Sequence, residues 1–160
     1  MTGLYVAALL IGIVAGLRAM TPLAVLSWAA FAKCLLLEGT WASFLASLVV
    51  AIIATVLAAG EIVNDKLPRT PSRKAPPAFA ARVVLGAFYG AVFGTLAHDT
   101  SPGLLIGLVL GAIGAVIGTL GGAWARGALA TAFGKDLPAA LIEDAITVAA
   151  ALAITAGLAT

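Results

Sequence analysis

The sequence predicts an all-α, polytopic membrane helix bundle of six spans, or five if the first is a single kinked helix. Two uncharged runs, Gly39 to Gly60 and Thr100 to Ala125, lead to it. Each holds the 20 or so apolar residues that cross a hydrocarbon core of about 30 Å. Composition agrees: 62% of residues are hydrophobic and 10% charged, with a mean hydropathy of +1.15. Soluble domains carry about 25% charged residues. The 160 residues leave room for one transmembrane domain and no soluble one. The net charge of +2 gives no case for a nucleic-acid partner.

The first element is the least regular. Met1 to Gly16 lacks the basic start of a cleavable signal peptide and reads as a retained helix. The stretch Gly16-Leu17-Arg18-Ala19-Met20-Thr21-Pro22 then interrupts it. Glycine closes helices, and Thr-Pro opens them, with threonine as cap and proline where an N–H would go unpaired. Either one long helix kinks here, or two short helices, 3–17 and 22–37, form a hairpin. The kink would bury Arg18 in lipid at a cost of at least about 2.5 kcal/mol, so the hairpin is preferred. Its weakness is length, since 15 helical residues reach only about 22 Å.

The clear spans follow: Trp41 to Val63, Phe79 to Ala97, Gly103 to Ala128 and Leu137 to Leu158. Between the second half and the first lies a proline-rich linker, 65–77, carrying Lys66, Arg69, Arg73 and Lys74. The positive-inside rule makes it cytoplasmic in an inner membrane, lying along anionic headgroups at about 1 kcal/mol per basic residue. Both termini then fall outside. The linker divides possible halves 1–64 and 78–160. Gly12-x-x-x-Gly16 with Thr21-Pro22 is similar to Gly90-x-x-x-Gly94 with Ser101-Pro102, which suggests an inverted 3+3 repeat.

Glycine spacing is the most regular motif. Gly86, Gly90 and Gly94 recur at every fourth residue, as do Gly103, Gly107 and Gly111, then Gly114, Gly118 and Gly122. Such stripes let helices approach closely and make a homo-oligomer plausible. Cys34, among leucines, reads as a packed or lipid-facing helical residue with no metal or redox role. Trp28, Trp41 and Trp124 suit interfacial anchoring. His98 and Asp99 form a solvated pair in a turn.

Ionisable residues gather toward the cytoplasmic helix ends. Glu61, Asn64 and Asp65 share one region; Arg82 lies a turn into the next span; Arg126 precedes Glu143 and Asp144. Opposite signs face each other: Glu61 and Asp65 against Arg82, Arg126 against Glu143 and Asp144, with Arg18 joining from the break. Intramembrane charges usually pair, face the interior and mark an ion or substrate path. Locked helix ends with snorkelling side chains are the alternative. No phosphate loop, metal-ligand spacing or nucleophile beside a base occurs, so no enzyme activity, cofactor or metal is expected.

Gly16-Leu17-Arg18-x-x-Thr21-Pro22-Leu23-Ala24, Glu61-x-x-x-Asp65-Lys66-Leu67-Pro68-x-x-Pro71, Arg82-x-x-x-Gly86-Ala87 and Glu143-Asp144 together carry a likeness across nearly the whole chain. In these the chain resembles an uncharacterised family of small bacterial integral membrane proteins, a domain of unknown function. The resemblance implies a multi-span bacterial membrane protein and no particular activity. The residues themselves suggest a small transporter or channel for a solute or ion, using Arg18, Glu61, Asn64, Asp65, Arg82, Arg126, Glu143 and Asp144. The rival is a non-transporting scaffold or assembly partner that organises lipids or other membrane proteins.

Overall fold

In the computed structural model, residues 2–66, 73–97 and 101–157 are described, save the side chain of Ser101. They form six helices: α1 (Thr2–Leu17), α2 (Thr21–Phe31), α3 (Leu48–Asn64), α4 (Pro76–Ala97), α5 (Ser101–Phe133) and α6 (Asp136–Ala156). A 3-10 turn, Ser43–Ala46, precedes α3, and the described residues contain no strand. Helices α4, α5 and α6 are long and apolar enough to cross a membrane; α1, α2 and α3 are shorter apolar helices.

Local chemistry explains most boundaries. Proline occupies the first turns of α4 and α5, where a missing N–H costs nothing. Asp136 opens α6, where its charge complements the helix dipole. Gly134 joins α5 to α6 with φ 66°, a left-handed conformation that suits glycine.

The direction of each helix follows from its contacts. Gly12 lies against Gly111, and Gly16 against Ala115 and Thr119, so α1 and α5 run parallel. Gly86 meets Gly111, Gly90 meets Gly107, and Gly94 meets Gly103, so α4 runs against α5. Trp28 on α2 donates to Thr55 on α3 at 2.9 Å, while Glu61 on α3 reaches Met20, so α2 and α3 are antiparallel. Thus α1 and α5 point one way and α4 the other, and α2 and α3 oppose each other.

The hairpin expected at Gly16 to Pro22 is present as a true break. Two details differ. Gly16 does not end the helix; it sits inside α1 with a backbone of α5 where its side chain would be. Thr21 is not the cap either. Met20 holds that position, and the buried Thr21 hydroxyl has no partner among the described residues.

The second helix ends at Phe31, six residues before the expected 37. Lys33 takes φ 58°. The N–H of Lys33 bonds to the Ala30 carbonyl at 3.1 Å, and that of Cys34 to Ala29 at 2.9 Å. This is a Schellman closure with lysine at the position that usually holds glycine. Cys34 therefore lies in an exposed turn and not in a helix. The span expected from Trp41 shrinks to α3, 17 residues from Leu48. In place of helix, residues 32–47 fold back, burying Leu35, Leu37, Ala42 and Leu45. Trp41 donates to the Thr95 hydroxyl at 2.8 Å, tying the segment to α4.

Glycine sets the central contact. Along α5, Gly103, Gly107 and Gly111 face α4, while Gly114 and Gly118 face Leu9 to Ile13 of α1. The three-residue step from Gly111 to Gly114 swings the small face by about 60°, from one neighbour to the next. Gly111 touches both: it lies against Gly86 and Gly90 of α4 and beneath Gly12 of α1.

Gly111→Ala is expected to destabilise the fold by about 1–3 kcal/mol or more, because the methyl would strike backbone that cannot yield. At Gly121 nothing lies within 4 Å, so Gly121→Ala should be neutral or stabilising by up to about 1 kcal/mol. Unfolding of both variants in detergent micelles checks this; equal effects would refute the packing assignment.

Candidate functional site

At the end where α1 gives way to α2, ion pairs gather five of the chain's seven acidic residues. They are Glu61, Asp65, Asp136, Glu143 and Asp144, matched by Arg18, Lys66, Arg73, Arg82 and Arg126. In these pairs five acids meet five cations.

Arg18 is its buried centre, with a relative exposure of 0%. Burying a guanidinium costs several kcal/mol unless anions meet it. Asp65 does so at 2.8 Å and Asp144 at 2.6 Å. Each of these carboxylates also holds a second cation. Asp65 pairs with Arg126, and Asp144 accepts from Lys66 at 2.6 Å. Arg126 spreads over three acids, reaching Asp136 at 2.6 Å and Glu143 at 3.5 Å as well. Arg73 grips Glu143 through two hydrogen bonds, the Nη2 one at 2.8 Å. Gly122 lies beside that pair, where a side chain would meet Leu17, Arg73 and Glu143.

Glu61 has a different task. The N–H groups of Ala19 and Met20 donate to its two oxygens at 2.9 and 2.8 Å. These amides lead into α2, whose first N–H groups have no partner within the helix. A carboxylate from α3 thus supplies the cap that Thr21 does not. Arg82 donates to the same carboxylate at 3.3 Å. Tyr89, seven residues along the same face of α4, is fully buried and donates to the Ala19 carbonyl at 2.8 Å. Both sides of the Ala19 peptide unit are held from neighbouring helices.

Beside this arrangement a cleft of about 250 Å³ opens, lined by Ala19, Glu61, Asn64, Asp65, Arg73 and Arg82. A larger groove of about 650 Å³ runs between α2, α3 and α6, but its walls are almost wholly apolar. A third cavity of about 310 Å³ touches Arg126 and Glu143 within otherwise apolar walls, so the 250 Å³ cleft gathers more of the ionisable side chains than either of the others. Among the described residues no three His, Cys, Asp or Glu side chains are grouped to hold a metal ion.

All eight residues singled out from the sequence come to this end of the molecule. Their pairing differs in part. Glu61 meets Arg82 and Arg126 meets Glu143, but Asp65 turns to Arg18 and Arg126, and Asp144 to Arg18 and Lys66. Two basic residues of the linker join the cluster, Lys66 pairing with Asp144 and Arg73 with Glu143. Arg69 lies outside the described residues, as do His98 and Asp99. Sequence reasoning missed Arg73, Asp136, Tyr89 and the amides of Ala19 and Met20. Only Tyr89 carried a legible signal, its seven-residue spacing from Arg82.

Burial pushes the Asp65 carboxyl up, but Arg18, Arg126 and Arg73 outweigh it and hold it below the usual carboxylate range. Burial likewise opposes the charge on Arg73, and the bonded Glu143 carboxylate prevails, raising its pKa.

Removing one partner of a buried pair leaves an uncompensated charge and costs about 3–5 kcal/mol. Arg18→Met is expected near the lower end, because Asp65 and Asp144 keep other cations. Lys33→Met removes a pair whose lysine is 76% exposed and should change nothing measurable. Unfolding midpoints of the two variants check the contrast. Because the folded Asp65 is more acidic than the unfolded one, its stabilisation is full above about pH 4 and fades as pH falls through the folded value. The wild-type melting temperature should therefore drop on acidification below about pH 4, and Asp65→Asn should show a shallower drop from a lower plateau.

Comparisons of the chain with known protein families, with curated proteins and with solved structures each return no match, so the functional reading rests on the charged cluster and its cleft.

Proposed function

We propose that the chain is a multi-pass membrane protein that moves a small solute or ion, with the charged cluster as its vestibule. The observation that carries this reading is the cleft of about 250 Å³, which is lined by Ala19 and Met20 of a broken helix together with Glu61, Arg73 and Arg82. Interrupted helices at membrane depth commonly present backbone groups to a ligand. Shared pairing also has a kinetic use. Arg126 already touches three acids, so an entering ion can take over one of its pairings while the others hold.

In this reading all six helices lie in an inner membrane of a bacterium as one bundle, in line with the resemblance noted in the sequence. The charged end faces the cytoplasm and both termini face away. The short α2, about 16 Å long, is completed by the folded segment 32–47, since irregular backbone at membrane depth is tolerated when protein covers it. The inverted 3+3 plan pairs helices of 16, 11 and 17 residues with helices of 22, 33 and 21, so the two halves would be unequal in form. Copies of the chain associate through exposed apolar helix faces, and Lys74 meets anionic headgroups.

A second reading has its own observation. Arg18 is sealed from solvent and bound on two sides, as a lock between helices would be. A scaffold that organises lipids or partner proteins needs that lock and no flux.

Glu61→Gln and Glu143→Gln in proteoliposomes separate the two. The transport reading expects flux of a panel of small ions and solutes through the wild type, reduced about tenfold or more in either variant. Wild-type vesicles no leakier than empty ones, together with a stoichiometric partner on copurification, would leave the scaffold standing.

A further inference from the structure

The cradle that holds Glu61 is built for a carboxylate that need not be its own. Two backbone N–H groups meet two separate oxygens at 2.9 and 2.8 Å, and a guanidinium reaches one of them at 3.3 Å. That geometry recognises a planar, bidentate anion. Glu61 supplies it from the cleft rim, with a side-chain exposure of 16%. Arg82 is more than nine-tenths buried, lines the cleft, and keeps its Nε without a hydrogen-bond partner among the described residues. By ion pairs the other arginines here reach more acids or grip one through two hydrogen bonds: Arg73 holds Glu143, Arg126 meets three acids, and Arg18 meets two aspartates, although its guanidinium nitrogens lack hydrogen-bond partners among the described residues and, unlike Arg82, it does not line the cleft. Among the described residues Arg82 has one ion-pair partner, Glu61.

We infer that the amides of Ala19 and Met20 with Arg82 form a binding site for the carboxylate of a small solute, which Glu61 occupies as a tethered stand-in. The solute enters through the cleft, displaces Glu61 and takes its three donors. The cleft of about 250 Å³ is smaller than the roughly 300–1,000 Å³ of sites for drug-sized ligands, so the ligand has few carbon atoms. As the substrate site of a transporter, the cradle rests on the reading proposed above; as a binding site, it does not.

The test is equilibrium binding to protein in nanodiscs, which is independent of flux. In Glu61→Ala the cradle is vacant, and formate or acetate should raise the melting temperature saturably; chloride at equal ionic strength should not. Glu61→Gln keeps the bulk of the side chain and serves where the alanine variant does not fold; it should bind radiolabelled acetate at least tenfold more tightly than the wild type. Adding Arg82→Gln to either variant should abolish the effect. Wild-type protein should respond to acetate only at concentrations at least tenfold higher, because Glu61 competes. Inorganic phosphate run in parallel distinguishes a planar carboxylate site, which prefers acetate, from a general oxyanion site, which binds phosphate as well or better and would overturn the carboxylate assignment. Absence of any acetate response in the variants and the wild type, or a response indifferent to Arg82, would overturn the site altogether. Tight acetate binding without flux would keep the site and remove the transporter; flux of other solutes without acetate binding would do the reverse.

Discussion

A guanidinium with no access to water dictates the layout of one whole end of this molecule. Arg18 sits where α1 stops, and its charge can be kept only if carboxylates come to it. Asp65 comes from the end of α3 and Asp144 from α6. Those two acids then draw Arg126 from α5 and Lys66 from beyond α3. Four parts of the chain are thereby brought to one place by a single side chain. The apolar helices alone could not specify this, since apolar surfaces slide past one another in lipid without much preference. The register along the helices comes from a second constraint, the backbone contacts at Gly107, Gly111, Gly114 and Gly118.

The class of fold was legible because it rests on long-period patterns. Apolar stretches and fourth-residue glycines survive any detail of local geometry, and α4, α5 and α6 lie close to the expected spans, while the uncharged run from Gly39 is α-helical only from Leu48. The break after Leu17 was legible too, because proline and a buried charge both oppose continuous helix. The boundaries of α2 and α3 were not. Nothing in Phe31-Ala32-Lys33-Cys34 marks a helix end, since lysine takes the left-handed position that glycine normally announces. Trp41 to Ser47 reads as apolar helix but is held as a folded segment by Trp41 and Thr95, far apart in sequence.

For the site, sign and position along the helices were enough to collect the right residues and too little to pair them. Pairing depends on which face each helix turns inward, and a difference of one turn exchanges partners. That is why Asp65 was assigned to Arg82 although it meets Arg18 and Arg126. The role of Glu61 was hidden for another reason. Its partners are peptide groups, and every residue has those, so no side-chain pattern could point to Ala19 and Met20.

The length of α5 has a consequence of its own. Its 33 residues measure about 50 Å, against roughly 30 Å of hydrocarbon. In the membrane arrangement proposed above, an upright α5 leaves about 20 Å of rod beyond the oily layer. In that arrangement a crossing counted from Ser101 would be complete near Gly121, with Trp124, 76% exposed, at headgroup depth and Arg126 and Asp136 in the aqueous margin. Dissolved electrolyte can meet Asp136, whose side chain is 60% exposed, and does not reach the fully buried Arg18. The network is accordingly graded, with an outer ring of pairs that salt can loosen and an inner knot around Arg18 that it cannot.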